Sequence, residues 1–511
     1  MQASHKVLFN TGIIYTRALI TVLVSLYSTR LIVKALGVQD FGLYSLIGGV
    51  VAMLGFFKSA LTASTQRFIS INIGKGLFNQ IRKTVANSIV IHFFVGFLIV
   101  IIIEVFGLYM IHNNLIIPPD RINAVLIVFH FVVSTIFITV IFVPFEAILN
   151  AYENMLFLGI IGLLEILMRL GVALIITYID NYDKLILYSI LMFLSFFIAS
   201  LLKWIYCFHK YSETKISLKK DFSFLHIKEH TSFVGWNLFG AACSSGKSQG
   251  IAIVSNIFFG PVVNAAYGIA NQVKSQSSFF SLNVLRVLNP QIMKSEGANN
   301  RERMIRLSLM SCKFGYFLIA FFVIPLIFEM PAIIDFWLGK QPPYVVVFCQ
   351  LILIGTLVEQ LTIGLISAVQ SVGNIKLYQI TIGGVILLNL PITFFLLKSG
   401  YDAEVALFVY IFLEIFAGVF RLVLCRDIVG LPVSSYLKKV FFKVFLPTLF
   451  SISTSFLIVK FLEINYRFII TFVLSIIIFF SSSFFSLEEN ELELLKKVMN
   501  KFMKILRLKQ S

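Results

Sequence analysis

Charge is what this chain has least of. Asp, Glu, Lys and Arg make up 13% of its 511 residues, against 58% hydrophobic and 15% aromatic, and the mean hydropathy is +0.92. A soluble domain carries about a quarter charged residues, so ordinary soluble classes are excluded and the chain reads as an integral membrane protein. Acid is scarcer than base: 25 Asp and Glu against 42 Lys and Arg leave a formal charge of +17. Cysteine is scarce too. Cys207, Cys243, Cys312, Cys349 and Cys425 are odd in number and scattered through apolar runs, with no CxxC and no clustered His, which argues against a disulfide framework and against a metal site. No small-residue cleavage site follows the first apolar run, which contains Arg17 and reads as a retained span.

A membrane crossing needs about 20 mostly apolar residues, because a helix rises 1.5 Å per residue through roughly 30 Å of hydrocarbon. That rule predicts an all-α polytopic protein of about fourteen spans. Six lie at 8–33, 41–63, 84–110, 122–149, 155–178 and 185–207. Six more lie at 232–259, 262–288, 309–329, 345–370, 377–397 and 403–424, and two follow at 440–461 and 468–485. Loops on the side of the N-terminus collect about 26 of the 42 Lys and Arg, and the opposite loops about seven. Both termini are therefore expected in the cytoplasm. The same asymmetry accounts for the net charge without nucleic acid.

The expected organisation is an N-lobe at 1–207, a cytoplasmic Lys-rich linker at 208–231, a C-lobe at 232–424, an additional pair of spans at 440–485 and a cytoplasmic tail at 486–511. In the tail Leu492, Leu495, Met499, Phe502 and Leu506 form one stripe, with acids early and bases late, as an interfacial helix would have. A solvated tail helix fits the same pattern. The two lobes echo each other. The turn after the first span, with Gly37 and Asp40 between Arg30 and the next apolar run, falls on Gly260 after a shift of 223, and "AILNAYENM" after span four resembles "SAVQSVGNIK" after span ten. Six spans per half make the halves parallel repeats about an axis along the membrane normal.

Several cations lie within spans, where each costs about 2.5–3.5 kcal/mol at a helix centre. Lys203 and Lys313 are near span ends and are expected to snorkel; Arg169 follows Glu165 by one turn and is expected to be neutralised by it. Lys247 in "CSSGKSQG" and Lys274 in "NQVKSQSS" are mid-span, Lys58 is on the second helix, Arg17 and Arg30 flank the first, and Arg286 is on the eighth. Two readings remain: cationic walls of a central cavity that bind substrate, or structural pairs with Glu104, Glu146, Glu359 or Glu414. Glu359, with Glu146 and Glu414 behind it, is the candidate for a coupling carboxylate that changes protonation during transport. "SSGKSQG" is not a phosphate-binding loop, since GxxxxGK[ST] needs Gly at 241, which is Ala.

The stretches "TRLIVKALGVQDFGLYSL", "STQRFIS", "VPFEAILNAYENM", "NVLRVLNPQIMKSEGANNRERMIRLS" and "DFWLGKQPPYVVVFCQLILI", spread over the first twelve spans, resemble the polysaccharide exporters (Wzx-type O-antigen flippases) of the multidrug/oligosaccharidyl-lipid/polysaccharide (MOP) superfamily. The resemblance implies a two-lobed, MATE-like, V-shaped carrier that moves an undecaprenyl-pyrophosphate-linked oligosaccharide from the inner to the outer leaflet of a bacterial inner membrane by alternating access. It implies no cofactor, drive by an H+ or Na+ gradient, membrane lipids as surroundings, and an O-antigen polymerase and chain-length regulator as partners. Many members have twelve spans, so the pair at 440–485 is a departure. The drug-exporting branch often has an acid in helix one, and 8–33 has none. Alternatives on the same fold are a flippase for capsule, teichoic or peptidoglycan precursors and a drug or cation exporter. A polymerase or membrane glycosyltransferase would need larger outer loops than this chain has, so no enzyme is expected.

Overall fold

The computed structural model describes residues 55–113, 117–179, 181–217, 221–222, 224–338, 343–464, 466–488 and 491, with part of 20–47. Arg17, Arg30 and the tail stripe from Leu492 to Leu506 lie outside the described residues. Helix is the rule and no strand occurs among the described residues, as expected where hydrocarbon cannot satisfy a backbone amide and each segment must bond within itself.

The longer helices are α1 (Gly55–Gly74), α2 (Phe78–Asn113), α3 (Ile122–Ile141), α4 (Val143–Ala151), α5 (Met155–Tyr178), α6 (Lys184–Lys210) and α7 (Phe224–Gly297). They continue as α8 (Arg301–Phe328), α9 (Met330–Leu338), α10 (Val345–Gln360), α11 (Ile363–Val372), α12 (Lys376–Leu387) and α13 (Asn389–Lys398). Last come α14 (Val405–Val429), α15 (Phe442–Phe461) and α16 (Arg467–Phe484). Among the described residues nine helical stretches are long and apolar enough to cross a membrane, and ten if α10 and α11, bent by 41°, make one crossing. These ten coincide with the third to sixth and ninth to fourteenth predicted spans. The first two predicted spans lie partly outside the described residues, and the seventh and eighth fall within α7.

The chain forms two compact units, Gly12–Ala241 and Ala242–Ser511. In the first, α2, α3 and α6 share a core of Ile99, Val125, Val128, Val133, Leu185 and Met192. Arg121, just before α3, forks onto Asp40 and onto Asp183 (2.6 Å), and Asp183 also caps α6 by accepting from the amides of Leu185 and Ile186. In the second unit α8 is the spine, with most of its apolar length buried. Ile319, Val323 and Leu326 face α10 and α14 residues such as Ile352 and Tyr410. Tyr316, Phe317 and Ile324 face Val444 and Phe479 of the last helix pair. That pair is joined by small hydroxyls, Ser451 to Ser475 at 2.6 Å and Ser455 to Ser475 at 3.2 Å, as close helix packing in lipid favours.

The units repeat one another in backbone detail. α1 ends at Gly74 and α2 starts at Phe78; α7 ends at Gly297 and α8 starts at Arg301, each 223 positions later. Span four breaks at Phe142 before α4, and span ten breaks at Leu361 and Thr362 before α11, which starts 220 positions after α4. Both half-helices are followed by a residue of positive φ, Glu153 at 58° and Gly373 at 98°.

Candidate functional site

In the second unit the charged side chains gather at the break between α10 and α11. Each of the four residues around it is held from another helix. Glu359 accepts from Lys274 Nζ at 3.2 Å, and Gln360 Oε1 accepts from Ser281. The Leu361 carbonyl accepts from Tyr436 Oη at 2.9 Å, and Thr362 Oγ1 accepts from Arg421 at 3.1 Å. The break frees backbone groups that a continuous helix would satisfy, and the Tyr436 hydroxyl takes up one of them, the Leu361 carbonyl.

Tyr410, from α14, is the centre of the cluster. Its hydroxyl accepts from Lys274 Nζ at 2.9 Å and lies 3.4 Å from Glu359. Lys247 Nζ stands 4.5 Å and Lys274 Nζ 4.9 Å from the centre of its ring, a cation–π arrangement strengthened where water is excluded. The ring can lie there because Gly355, one turn before Glu359, has no side chain: a Cβ would meet Tyr410 Cε1 at 2.2 Å. Behind Tyr410, Glu414 joins Lys247 (3.0 Å) to Arg421 (3.3 Å). The two layers differ in access. Lys247, Glu414 and Arg421 are sealed, whereas the side chains of Lys274 and Glu359 are 23% and 27% exposed.

Lys247 and Lys274 are both in α7, and 27 residues of straight helix would separate them by about 40 Å. Two lysines on one ring exclude that. The chain therefore bends sharply between them, within a stretch whose one proline follows Gly260 in sequence, so that the seventh and eighth predicted spans, both within α7, converge on Tyr410.

The first unit holds a related but different set. Glu146, in the first turn of α4 after the break, pairs with Lys58 at 3.1 Å and lies 3.7 Å from Lys203, which also pairs with Glu165 at 3.0 Å. A carboxylate is favoured at this helix start by the dipole. The three described lysines proposed as bare cations thus each have a carboxylate partner. Arg286 is exposed, and no ion pair of it occurs among the described residues.

Three expectations about charged side chains are corrected. Lys203 does not snorkel but holds Glu165, and Arg169 instead stacks on the Phe196 ring at 4.8 Å. Lys313 is 2% exposed and pairs with Glu491 at 2.5 Å. Glu329 is fully buried and takes both Arg467 (3.0 and 3.2 Å) and Thr471 (2.6 Å). Buried charge therefore ties α16 to the end of α8 at Glu329, and ties Glu491, beyond α16, to the middle of α8 at Lys313. Arg421 and Tyr410 were missed as site residues. Arg421 follows Glu414 by seven residues, two turns along one face, and that spacing is the signal that could have found it.

By sequence the chain matches no family model and no curated protein. By structure it is similar to an outward-facing multidrug resistance MATE family transporter of the MOP superfamily, with a TM-score of 0.69 at 12% identity, covering 84% of this chain and 95% of that one. A eukaryotic MATE transporter, AtDTX14, gives 0.69 at 11%, covering 83% and 96%. A MOP superfamily transporter from Pyrococcus furiosus, described as having a binding pocket of reversed polarity that suggests a different function, gives 0.57 at 12%, covering 95% and 94%. At these identities the likeness concerns the fold alone, and the chain has a MATE-like fold.

Proposed function

We propose that this protein is a transporter and not an enzyme, and that it moves an undecaprenyl-pyrophosphate-linked oligosaccharide, an O-antigen unit or similar surface glycan, from the inner to the outer leaflet of a bacterial inner membrane by alternating access. Both termini are cytoplasmic in this reading. The observation that carries it is the partly exposed Lys274, set beside a helix break in the middle of membrane-spanning segments. A charged pair facing hydrocarbon would be costly, so its exposed side is best explained by water or a polar ligand. Broken helices are where carriers place substrate and ion sites.

The charge balance supports an anionic ligand. Lys247, Lys274 and Arg421 face Glu359 and Glu414, leaving one positive charge in excess. A pyrophosphate group crossing hydrocarbon needs such compensation, which an ammonium supplies as a point charge with three donors. The prenyl chain can stay in lipid. The Pyrococcus furiosus neighbour, whose reversed pocket polarity is described as suggesting a different function, is a precedent for more than one function on this fold.

The test is flipping of lipid-linked oligosaccharide in vesicles containing the purified protein. Lys274→Ala should abolish it at normal membrane level, and Lys274→Arg should keep part of it. Wild-type flipping by Lys274→Ala would remove this site from the mechanism. A second reading, export of a cationic drug, is favoured by the partly exposed Glu359 and the multidrug neighbour. It predicts that Lys274→Ala increases drug efflux, because it unmasks the carboxylate.

A further inference from the structure

We infer that Glu359 is a proton-operated cover for Lys274, so that the site takes up one proton and one anionic group together. This rests on the anionic-substrate reading above and specifies how the site is regulated. With Glu359 ionised, Lys274 Nζ is engaged at 3.2 Å and its other visible partner is the Tyr410 hydroxyl. A proton added to the Glu359 carboxylate turns the ion pair into a neutral contact. The ammonium keeps its three protons and its charge, and the incoming phosphoryl oxygen replaces the carboxylate as its counter-ion. Charge balances: the proton raises the excess of the cluster from one positive charge to two, the two negative charges of a pyrophosphate diester offset them, and the excess of one returns when anion and proton have both left.

The geometry singles out Glu359 among the three carboxylates. Glu414 is 2% exposed and gripped by Lys247 and Arg421 together, so neutralising it would leave two buried cations facing each other. Glu146 is shared between Lys58 and Lys203. Glu359 has one direct cation and one exposed edge. From α7 it faces Lys274 and, farther off, Lys247; from α14 it faces Tyr410, with Glu414 and Arg421 behind. On α8, Lys313 is engaged by Glu491, and on α9 the one acid, Asp335, is exposed. Tyr410, wedged against Gly355, keeps Lys274 in place whether or not the carboxylate holds it.

Proton and anion must then favour each other's binding equally, since linkage is reciprocal. The probe is a dialkyl pyrophosphate, a diester that lacks the ionisation near pH 6 of a phosphate monoester and so keeps a fixed charge. Its binding to the full chain in nanodiscs is measured by calorimetry in buffers of different ionisation enthalpy, across pH. Wild type should bind more tightly as pH falls, by up to about tenfold per pH unit, and take up about one proton per ligand. Glu359→Gln, nearly isosteric, should bind at the low-pH affinity at every pH with no proton uptake. Binding without proton uptake by wild type overturns the inference and needs no variant; so does uptake unchanged in Glu359→Gln. Proton-linked binding with no flipping in vesicles leaves the cover standing and overturns the flippase, whereas flipping with pH-independent binding does the reverse.

Discussion

Cys207 and Cys425 make the same contact in the two units. Each buried thiol donates to a backbone carbonyl at 3.6 Å, Cys207 to Phe145 and Cys425 to Leu365, and the two carbonyls sit three residues into the corresponding half-helices α4 and α11. The carbonyls are 220 positions apart and the thiols 218. A short residue packing on a broken helix has thus been kept in both halves.

All five cysteines are buried, so a membrane-impermeant maleimide should leave the native chain unlabelled. Single cysteines at the exposed positions Ser217 and Ser399 can therefore be read against the wild-type background. With both termini cytoplasmic, Ser399→Cys should react in intact cells and Ser217→Cys only after permeabilisation. Reaction of Ser217→Cys from outside would reverse the orientation.

The glycines around the break should separate function from stability. A Cβ at Gly355 meets the Tyr410 ring, whereas a Cβ at Gly364 meets the Ser308 carbonyl oxygen at 2.4 Å and the Cys312 amide at 2.9 Å. Gly364→Ala should cost about 1–3 kcal/mol or more, as overpacking does, and appear as a lower melting temperature. Gly355→Ala can move a side chain instead and should lose transport before stability. Gly384→Ala, with open space around it, should gain up to about 1 kcal/mol from helix propensity.

The sealed layer should be asymmetric. Glu414→Ala leaves Lys247 and Arg421 buried without their carboxylate and should cost about 3–5 kcal/mol. Lys247→Ala leaves Glu414 with Arg421 and should cost less. The order of melting temperatures in detergent tests this, and the reverse order would show that Arg421 does not hold Glu414.

Lys313 and Glu491 should behave as a buried lock on the segment that follows α16. Glu491→Ala should destabilise the chain by about 3–5 kcal/mol, and the double replacement Lys313→Met with Glu491→Leu should restore most of it. If the single change is silent, the segment after α16 is not anchored by this pair.

The sequence alone determined the helices, because a bilayer is a solvent that admits apolar segments of one length, and ten described crossings coincide with runs read from hydropathy. It also marked Lys58, Lys247, Lys274 and Lys313 as charges in the wrong place. It could not pair them. The partner of Lys274 is 85 residues away, that of Lys247 167 and that of Lys313 178, and no local pattern carries such distances. The repeat was faint in sequence for a related reason: what the halves share is the placing of breaks and turns, in which Glu153 stands where the other half has Gly373. Which cations are sealed and which stay partly exposed was decided by tertiary packing, since Lys247 and Lys274 lie in similar polar runs of one helix. Packing around Tyr410 set Lys247 against Glu414, which also holds Arg421, and sealed it, and left Lys274 beside Glu359, partly exposed.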